Sequence, residues 1–390
     1  MRIALLGSTG SIGRSVLDVV RRHRDRFEVV AMTANRNTEL LGRQAAGFGC
    51  RLVAVSHDAD AGGLPDGLDV RRGPGALEEL AALPEADLVV NALVGGAGLR
   101  PAAASVAAGK RLALANKESL VTAGGILTAD ARRSGAEILP VDSEHSSLRR
   151  CLAGRAPEEI DSVVLTASGG ALRDRTPAEL ESVRVEEVLR HPTWDMGPKV
   201  TVDSATLVNK AFEVIEAHWL FGVPLERVGV VLHAQSIAHC FVRLTDGSLL
   251  AHLSEPDMRV PIQDAMFAPG APPVELSGTR AWELGTLSFE PVDTGRYPCF
   301  GLVLEAARAG GTAPAVAAAA DEVAVSAFVA GRIPFNHIRQ VIEATLDEVP
   351  FAEADTLDAV FEADAEARKT AHEAVERTAT RHSDRKGTRR

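Results

Sequence analysis

The feature that most limits how this chain folds lies at its start. An apolar run, RIALL (residues 2–6), leads into GSTGSIG and then into SVLDVVRRHRDRF, which has helical spacing. A short, continuous apolar run reads as a strand covered on both faces. A glycine-rich turn between such a strand and a helix is the opening of a βαβ unit. The alternation continues. FEVVAMTA (27–34), RLVAV (51–55), ADLVVNAL (86–93), RLALA (111–115) and AEILPV (136–141) are further strand-like runs, separated by helical stretches such as NTELLGRQAAGF and ESLVTAGGILTADARRS. This pattern predicts an α/β fold with a doubly wound parallel sheet, a Rossmann-type domain over residues 1–142.

The turn Gly7-Ser8-Thr9-Gly10-Ser11-Ile12-Gly13 spaces its glycines as GxxGxxG. Glycines there permit a tight turn and close approach of a pyrophosphate to the helix N-terminus, where free N–H groups favour anions. The second strand ends in Asn35-Arg36-Asn37. An NAD site offers a carboxylate to the ribose hydroxyls at this point, whereas an Arg and two amides favour a 2′-phosphate, so the reading is NADP rather than NAD. Asn116-Lys117-Glu118 closes another strand of the same sheet, and ligands bind at such carboxyl ends. Only six of the 42 basic residues are Lys, which singles out Lys117.

Residues 141–146, VDSEHS, bring two carboxylates to the end of an apolar run. Read as strand, they place Asp142 and Glu144 on one face and Ser143 on the other. Side-by-side carboxylates repel unless a cation or proton intervenes. The pair either faces water or holds a hard ion such as Mg²⁺ or Mn²⁺. A third carboxylate is available in VDSATLVNKAFE (202–213): if this opens a helix, Asn209, Lys210 and Glu213 share a face. Thr166-Ala167-Ser168-Gly169-Gly170 is a small, flexible turn suited to phosphate oxygens. His191-Pro192-Thr193-Trp194-Asp195-Met196-Gly197 reads either as a lid that excludes water or as a loop packed on its own domain. His233 and His239 read as strand-face or core histidines rather than zinc ligands.

Strands of a second, α+β domain are expected over 143–267, a Pro/Gly-rich linker over 268–298, a helical domain over 299–378 and a flexible polar tail over 379–390. The formal net charge of −11 argues against a nucleic-acid partner. The four widely spaced cysteines suggest neither a zinc ribbon nor a disulfide scaffold. No apolar run reaches membrane-spanning length and no signal peptide is evident, so a cytoplasmic location is expected.

GSTGSIG, LANKESLV, PVDSEHS, LTASGG, HPTWDMG, VDSATLVNK, DMRVPI and FEPVDTGRYPC, in this order, resemble one family over nearly the whole chain: 1-deoxy-D-xylulose 5-phosphate reductoisomerase. The resemblance implies isomerisation and reduction of 1-deoxy-D-xylulose 5-phosphate to 2-C-methyl-D-erythritol 4-phosphate, in the non-mevalonate route to isoprenoid precursors. It implies NADPH, Mg²⁺ or Mn²⁺, and a homodimer. By motif, Asp142, Glu144 and Glu213 are expected to hold the metal. Ser143 and Lys117 are expected at the substrate beside it. Ser168, His191, Ser204, Asn209 and Lys210 are expected on the substrate phosphate, with Trp194 covering the substrate. Thr9, Gly10, Ser11, Ile12, Asn35, Arg36, Asn37, Asn116, Glu118, Gly197 and Met258 are expected at the cofactor. Lys117, Glu144, Asp142, His191 and Glu213 carry the catalytic expectation.

Several positions depart from the family pattern: Ala211-Phe212 for Gly-Leu, Ala234 for Pro, Ala319-Ala320-Asp321-Glu322 for a motif with two asparagines, and Asn35 for Gly. They suit a divergent copy. The alternatives are a paralogous NADPH-dependent reductoisomerase or reductase acting on a related phosphorylated or phosphonylated compound, and a non-catalytic NADPH-binding protein. A semialdehyde dehydrogenase would need a nucleophilic Cys, and none of the four has a suitable setting.

Overall fold

The computed structural model describes residues 1–55, 63–73, 75–194, 196–270 and 280–387. The chain divides into two compact units, one of Met1–Leu120, Leu127–Arg149 and Asp257–Ser277, the other of Val121–Ile126, Arg150–Pro256 and Gly278–Arg390. Residues 271–279 of the expected linker and 388–390 of the expected tail lie outside the described residues.

The first unit is built on a seven-stranded parallel sheet. Its strands are β1 (Arg2–Leu6), β2 (Glu28–Ala34), β3 (Leu52–Val55), β4 (Asp69–Arg72), β5 (Leu88–Asn91), β6 (Arg111–Leu114) and β7 (Glu137–Pro140). They lie in the order β4-β3-β2-β1-β5-β6-β7. The apolar runs become strands because helices cover both faces; Ile3, Leu5, Val53 and Val89 are fully buried. β4, DVRR, escapes the sequence reading. It is a polar edge strand with no buried residue, so nothing in its composition marks it. The order reverses between β1 and β5, the switch point at which such sheets bind ligands. The Gly7 turn, Asn116 and Asp142 all follow carboxyl ends of these strands.

The helix Arg259–Phe267 also belongs here, although the sequence grouped it with the second domain. Ile262, Ala265 and Met266 are buried in this unit's core. The Phe267 ring stands edge-on to His23 and Phe27, with centroids 5.0 and 4.7 Å away. Arg259 forks onto Asp257 and reaches Asp18 at 3.4 Å, pinning the helix start to the helix Ser11–Arg22.

The second unit holds a mixed sheet, β8 (Ile160–Ala167), β9 (Val228–Leu232), β10 (Ala238–Leu244), β11 (Leu249–Leu253) and β12 (Glu290–Pro291), in the order β11-β10-β8-β9-β12. Only the β8–β9 pair is parallel. The helices Pro298–Ala309, Ala313–Val329, Ile338–Glu348 and Leu357–Gly387 follow. They share the larger core with the rest of the unit, since Phe212 and Val208 lie in one cluster with Phe300, Phe328, Ile342 and Val375, and they keep a small cluster of their own, Val316, Ala319, Val349 and Ala367. The reason is the Ala313–Val329 helix, which is apolar almost all round and needs neighbours on every side. The last helix continues past residue 379, where a flexible tail was expected, to Gly387. Within this unit, the helix Lys117–Ser134 breaks at Ala123 (φ −139°). Gly124 and Gly125 follow and make room for Trp219; a Cβ on Gly124 would lie 2.2 Å from the indole Cδ1. Among the described residues no helix is long and apolar enough to cross a membrane.

Candidate active site

In the first unit, the turn after β1 is closed by backbone proximity. Gly7 has φ +84°, and a Cβ there would meet the Ala92 carbonyl at 2.7 Å; a Cβ on Gly13 would meet the Gly7 carbonyl at 2.3 Å. No side chain caps the Ser11–Arg22 helix at Gly10, so its N-terminus is left to an anion. Thr33 and Gln44, which the sequence reading did not single out, stitch this turn to its neighbours. The Gly7 N–H donates to Thr33 Oγ1 at 2.8 Å, and Gln44 Nε2 donates to the Ser8 carbonyl at 2.9 Å. Thr9, Ser11 and Ile12 line the turn half-buried, and Ile12 packs on this unit's core together with Met258. Asn35, Arg36 and Asn37 are exposed past the end of β2. Asn37 caps the following helix, accepting from the Leu40 N–H at 3.1 Å.

Asn116 is buried and caps the Lys117–Ser134 helix. Its amide donates to the Leu93 and Gly95 carbonyls and to Glu118, while its oxygen accepts from the Ser119 N–H. The side chain is thus turned inward, and Gly98 makes space for it, since a Cβ there would lie 2.2 Å from the Asn116 amide.

The strand reading of VDSEHS is corrected. β7 ends at Pro140 and a helix begins at Ser143, so Asp142 and Glu144 share no strand face. The reason is capping: the Asp142 carbonyl accepts the Ser146 N–H at 2.9 Å, and Glu144 lies in the first turn, where the helix dipole favours a carboxylate. Each carboxylate has a donor of its own. Lys117 Nζ lies 2.6 Å from Asp142 Oδ2, and Ser143 Oγ donates to Glu144 Oε2 at 2.6 Å. The helix is anchored from behind by Asp264, which accepts from Ser146 Oγ at 3.1 Å and from Arg149 at 2.5 Å.

In the second unit, Ser168 and His191 meet at 2.9 Å, Oγ to Nε2. Nδ1 of His191 accepts the Thr193 and Trp194 N–H groups at 3.2 and 3.0 Å. Nδ1 is therefore unprotonated, Nε2 carries the hydrogen and donates to Ser168 Oγ, and the serine hydroxyl is left to donate outward. Burial, helped by the nearby Arg173 guanidinium, pushes the His191 pKa down to about 4, which keeps the ring neutral. Arg173 also donates to the Ser168 carbonyl at 3.3 Å. Nothing in the pattern of residues singles it out, because its approach depends on the Gly169–Gly170 turn. Gly170 (φ +69°) lies against the Ser204–Ala205 backbone. Gly197 begins the helix Pro198–Thr206, its carbonyl accepting the Thr201 N–H at 3.1 Å, and the next helix is Val208–Phe221. Ser204 Oγ donates back to the Val200 carbonyl at 2.8 Å. Asn209 Nδ2 donates to Glu213 Oε1 at 2.5 Å, and Lys210 pairs with the other carboxylate oxygen, both Lys210 and Glu213 being buried. His233 is structural: Nδ1 donates to the Ser288 carbonyl at 2.9 Å and Nε2 accepts from Ile237 and Ala238.

The sequence matches the 1-deoxy-D-xylulose 5-phosphate reductoisomerase pattern over residues 3–124. The same family's C-terminal domain patterns match over 138–221 and 253–370. A 1-deoxy-D-xylulose 5-phosphate reductoisomerase of Ralstonia nicotianae is 48% identical over 386 residues, covering 95% of this chain and 97% of that one. The chain belongs to the 1-deoxy-D-xylulose 5-phosphate reductoisomerase family. A reductoisomerase of Thermomicrobium roseum is likewise 48% identical over 388 residues, with 98% and 99% of the two chains covered. A crystal structure of DOX-P reductoisomerase in complex with NADPH, fosmidomycin and magnesium superposes with a TM-score of 0.91 at 35% identity, covering 96% of this chain and 98% of that one. The reductoisomerase from Zymomonas mobilis in complex with NADPH gives 0.87 at 37% identity, covering 96% and 99%.

For a reductoisomerase, the residues present fit the two groups the family implies. The turn between Gly7 and Gly13 can be this tight only because neither carries a Cβ, and a tight glycine turn at a helix N-terminus suits a close-lying pyrophosphate. The candidate metal donors are all carboxylates, the set a hard divalent ion prefers. Each is held by an ammonium, amide or hydroxyl of its own unit, so each demands a positive or hydrogen-bonding partner. Of the departures, Ala211 and Phe212 are fully buried in the second unit's core.

Proposed function

We propose that this chain converts 1-deoxy-D-xylulose 5-phosphate to 2-C-methyl-D-erythritol 4-phosphate by isomerisation and reduction, using NADPH and a divalent metal. The observation that carries the reading is identity of 48% over almost the full length of relatives named for this reaction. A superposable structure holding NADPH and magnesium adds support.

In this reading, the first unit binds NADPH: the Thr9–Ile12 turn takes the pyrophosphate and Asn35, Arg36 and Asn37 take the 2′-phosphate. Met258 flanks the nicotinamide, and Asn116 and Glu118 shape the rest of this unit's site; Gly197, a residue of the second unit, is assigned to the cofactor by the family motif alone. Asp142, Glu144 and Glu213 are the metal ligands. When bound, the metal supplies Lewis acidity toward the substrate's ketone and hydroxyl oxygens, and NADPH supplies hydride. Lys117 Nζ, already 2.6 Å from Asp142, holds a proton and a positive charge where negative charge develops on substrate oxygen. Ser143 Oγ hydrogen-bonds the substrate. The phosphate rests on Ser168, His191, Ser204, Asn209 and Lys210. Neutral His191 fixes the Ser168 hydroxyl so that its hydrogen points at a phosphate oxygen. Binding far from the reacting carbons orients them, and Trp194 covers the substrate. The working form is a cytoplasmic homodimer.

The test is product analysis. Purified protein with NADPH deuterated at the transferable position, Mn²⁺ and 1-deoxy-D-xylulose 5-phosphate should yield methylerythritol phosphate carrying one deuterium. NADPH consumption without that product, or no consumption with NADPH bound, overturns the assignment.

A further inference from the structure

The helices Pro198–Thr206 and Val208–Phe221 are joined by one residue, Leu207, whose φ of +59° is unusual for a side-chain-bearing residue. No continuous helical ladder runs through that joint. The placement of Ser204, on one side, relative to Asn209 and Lys210, on the other, must therefore come from side-chain packing.

Lys199 supplies a brace across the joint. Its ammonium lies 2.6 Å from Asp203 in its own helix, 3.1 Å from Asp321 in the helix Ala313–Val329, and 5.0 Å from the ring centroid of Phe212 in the following helix. Asp203 directly precedes Ser204, and Phe212 directly precedes Glu213. The Lys199 side chain is 12% exposed, Asp203 2% and Asp321 0%. Local helix energetics do not account for the arrangement. A Lys in the first turn opposes the helix dipole, and Lys before Asp is the weaker order of an i, i+4 pair. Burying three charges is costly unless they meet one another. The cluster is sustained by what it joins: three helices at one cation.

We propose that Asp321 and Phe212 are positioning residues for the phosphate-binding residues, both acting through the Lys199 ammonium. Asp321 draws Lys199 toward the C-terminal helices, and the Phe212 ring face holds it from the second helix. Together they fix the distance between Ser204 and the Asn209–Lys210 pair. The proposal rests on the reading of those residues as the phosphate site.

The test is calorimetric titration of the full-length protein with inorganic phosphate, and separately with NADPH, for wild type, Asp321→Asn, Phe212→Leu and the double variant. Asp321→Asn keeps size and leaves Lys199 paired with Asp203, so folding is retained where Lys199→Met would strand two buried carboxylates. The expected result is a phosphate Kd raised about 3- to 30-fold in each single variant. NADPH Kd should stay unchanged. The double variant should fall short of the product of the two effects, because both pass through one ammonium. In turnover, KM for the sugar phosphate should rise more than kcat falls. Phosphate affinities at the wild-type value, parallel losses of phosphate and NADPH affinity, or effects that simply multiply would each overturn the proposal. Failure of the wild-type protein itself to bind phosphate would instead refute the site reading beneath it, and the proposal with it.

Discussion

Gly170 offers the sharpest single-residue test of the second unit's geometry. It has φ +69°, and a Cβ there would lie 2.6 Å from Ala205 Cα and 2.7 Å from both Ala205 N and the Ser204 carbonyl carbon. All three are backbone atoms, so no flexible side chain can swing away. Ordinary contact begins near 3.4 Å, so Gly170→Ala must push the Ser168 turn and the Ser204 helix apart by about 0.8 Å. Two costs follow: about 1–2 kcal/mol for a left-handed alanine and about 1–3 kcal/mol for overpacking. Gly222→Ala is the control. Gly222 has φ +67° with nothing within 4 Å of a Cβ, so it carries the first cost alone. Differential scanning calorimetry should therefore show Gly170→Ala less stable than Gly222→Ala by about 1–3 kcal/mol. Calorimetric titration should show weakened phosphate binding in Gly170→Ala only. Equal stability of the two variants, or unchanged phosphate affinity in Gly170→Ala, would refute the packing of this turn on the Ser204 helix.

Three further outcomes follow from groups already described. His191, with its pKa depressed to about 4, should stay neutral from pH 8 to 5 in the ligand-free protein, as ring-proton NMR would register. Because the unfolded chain takes up its proton first, near 6.5, the contribution of neutral His191 to stability is complete above about pH 6.5 and fades as pH falls toward 4. A ring titrating near 6.5 in the folded protein would contradict the hydrogen-bonding assignment. Cys151, whose pKa is lowered to about 7 by a hydrogen bond with Cys240 and by Arg155, should be alkylated first by iodoacetamide at neutral pH. Burial raises Cys50 to about 11 and Cys299 to about 12, so both should lag, which peptide mass mapping would follow. Lys117→Met should lower turnover about 100-fold or more while leaving NADPH affinity intact; near-wild-type turnover would remove Lys117 from the chemistry.

Much of this architecture is legible in the sequence because burial on both faces leaves a plain signature. Six of the seven strands of the first sheet are apolar runs, and the exception, Asp69–Arg72, is polar because it sits at the edge. The candidate residues were legible for a different reason: Asn209, Lys210 and Glu213 share a helix face by spacing alone. What spacing could not show is tertiary. Whether VDSEHS is strand or helix was decided by the Asp142 carbonyl capping Ser146. The approach of Arg173 to Ser168 depends on two left-handed glycines. Phe212 and Asp321 stood out singly, 109 positions apart, and only the fold brings both to Lys199. The expected domain boundary at 267 differs from the compact unit because the apolar face of the helix Arg259–Phe267 packs with β-sheet residues from the start of the chain.

Reduction of the sugar phosphate should depend on a metal held by Asp142, Glu144 and Glu213, of which Glu213 is the buried member. The most direct measurement is NADPH oxidation with 1-deoxy-D-xylulose 5-phosphate, with and without Mn²⁺, in wild type and Glu213→Gln. Turnover in the wild type should require the metal and be lost in the variant, with NADPH affinity equal in both. Turnover that persists without metal, or survives Glu213→Gln undiminished, would contradict that dependence.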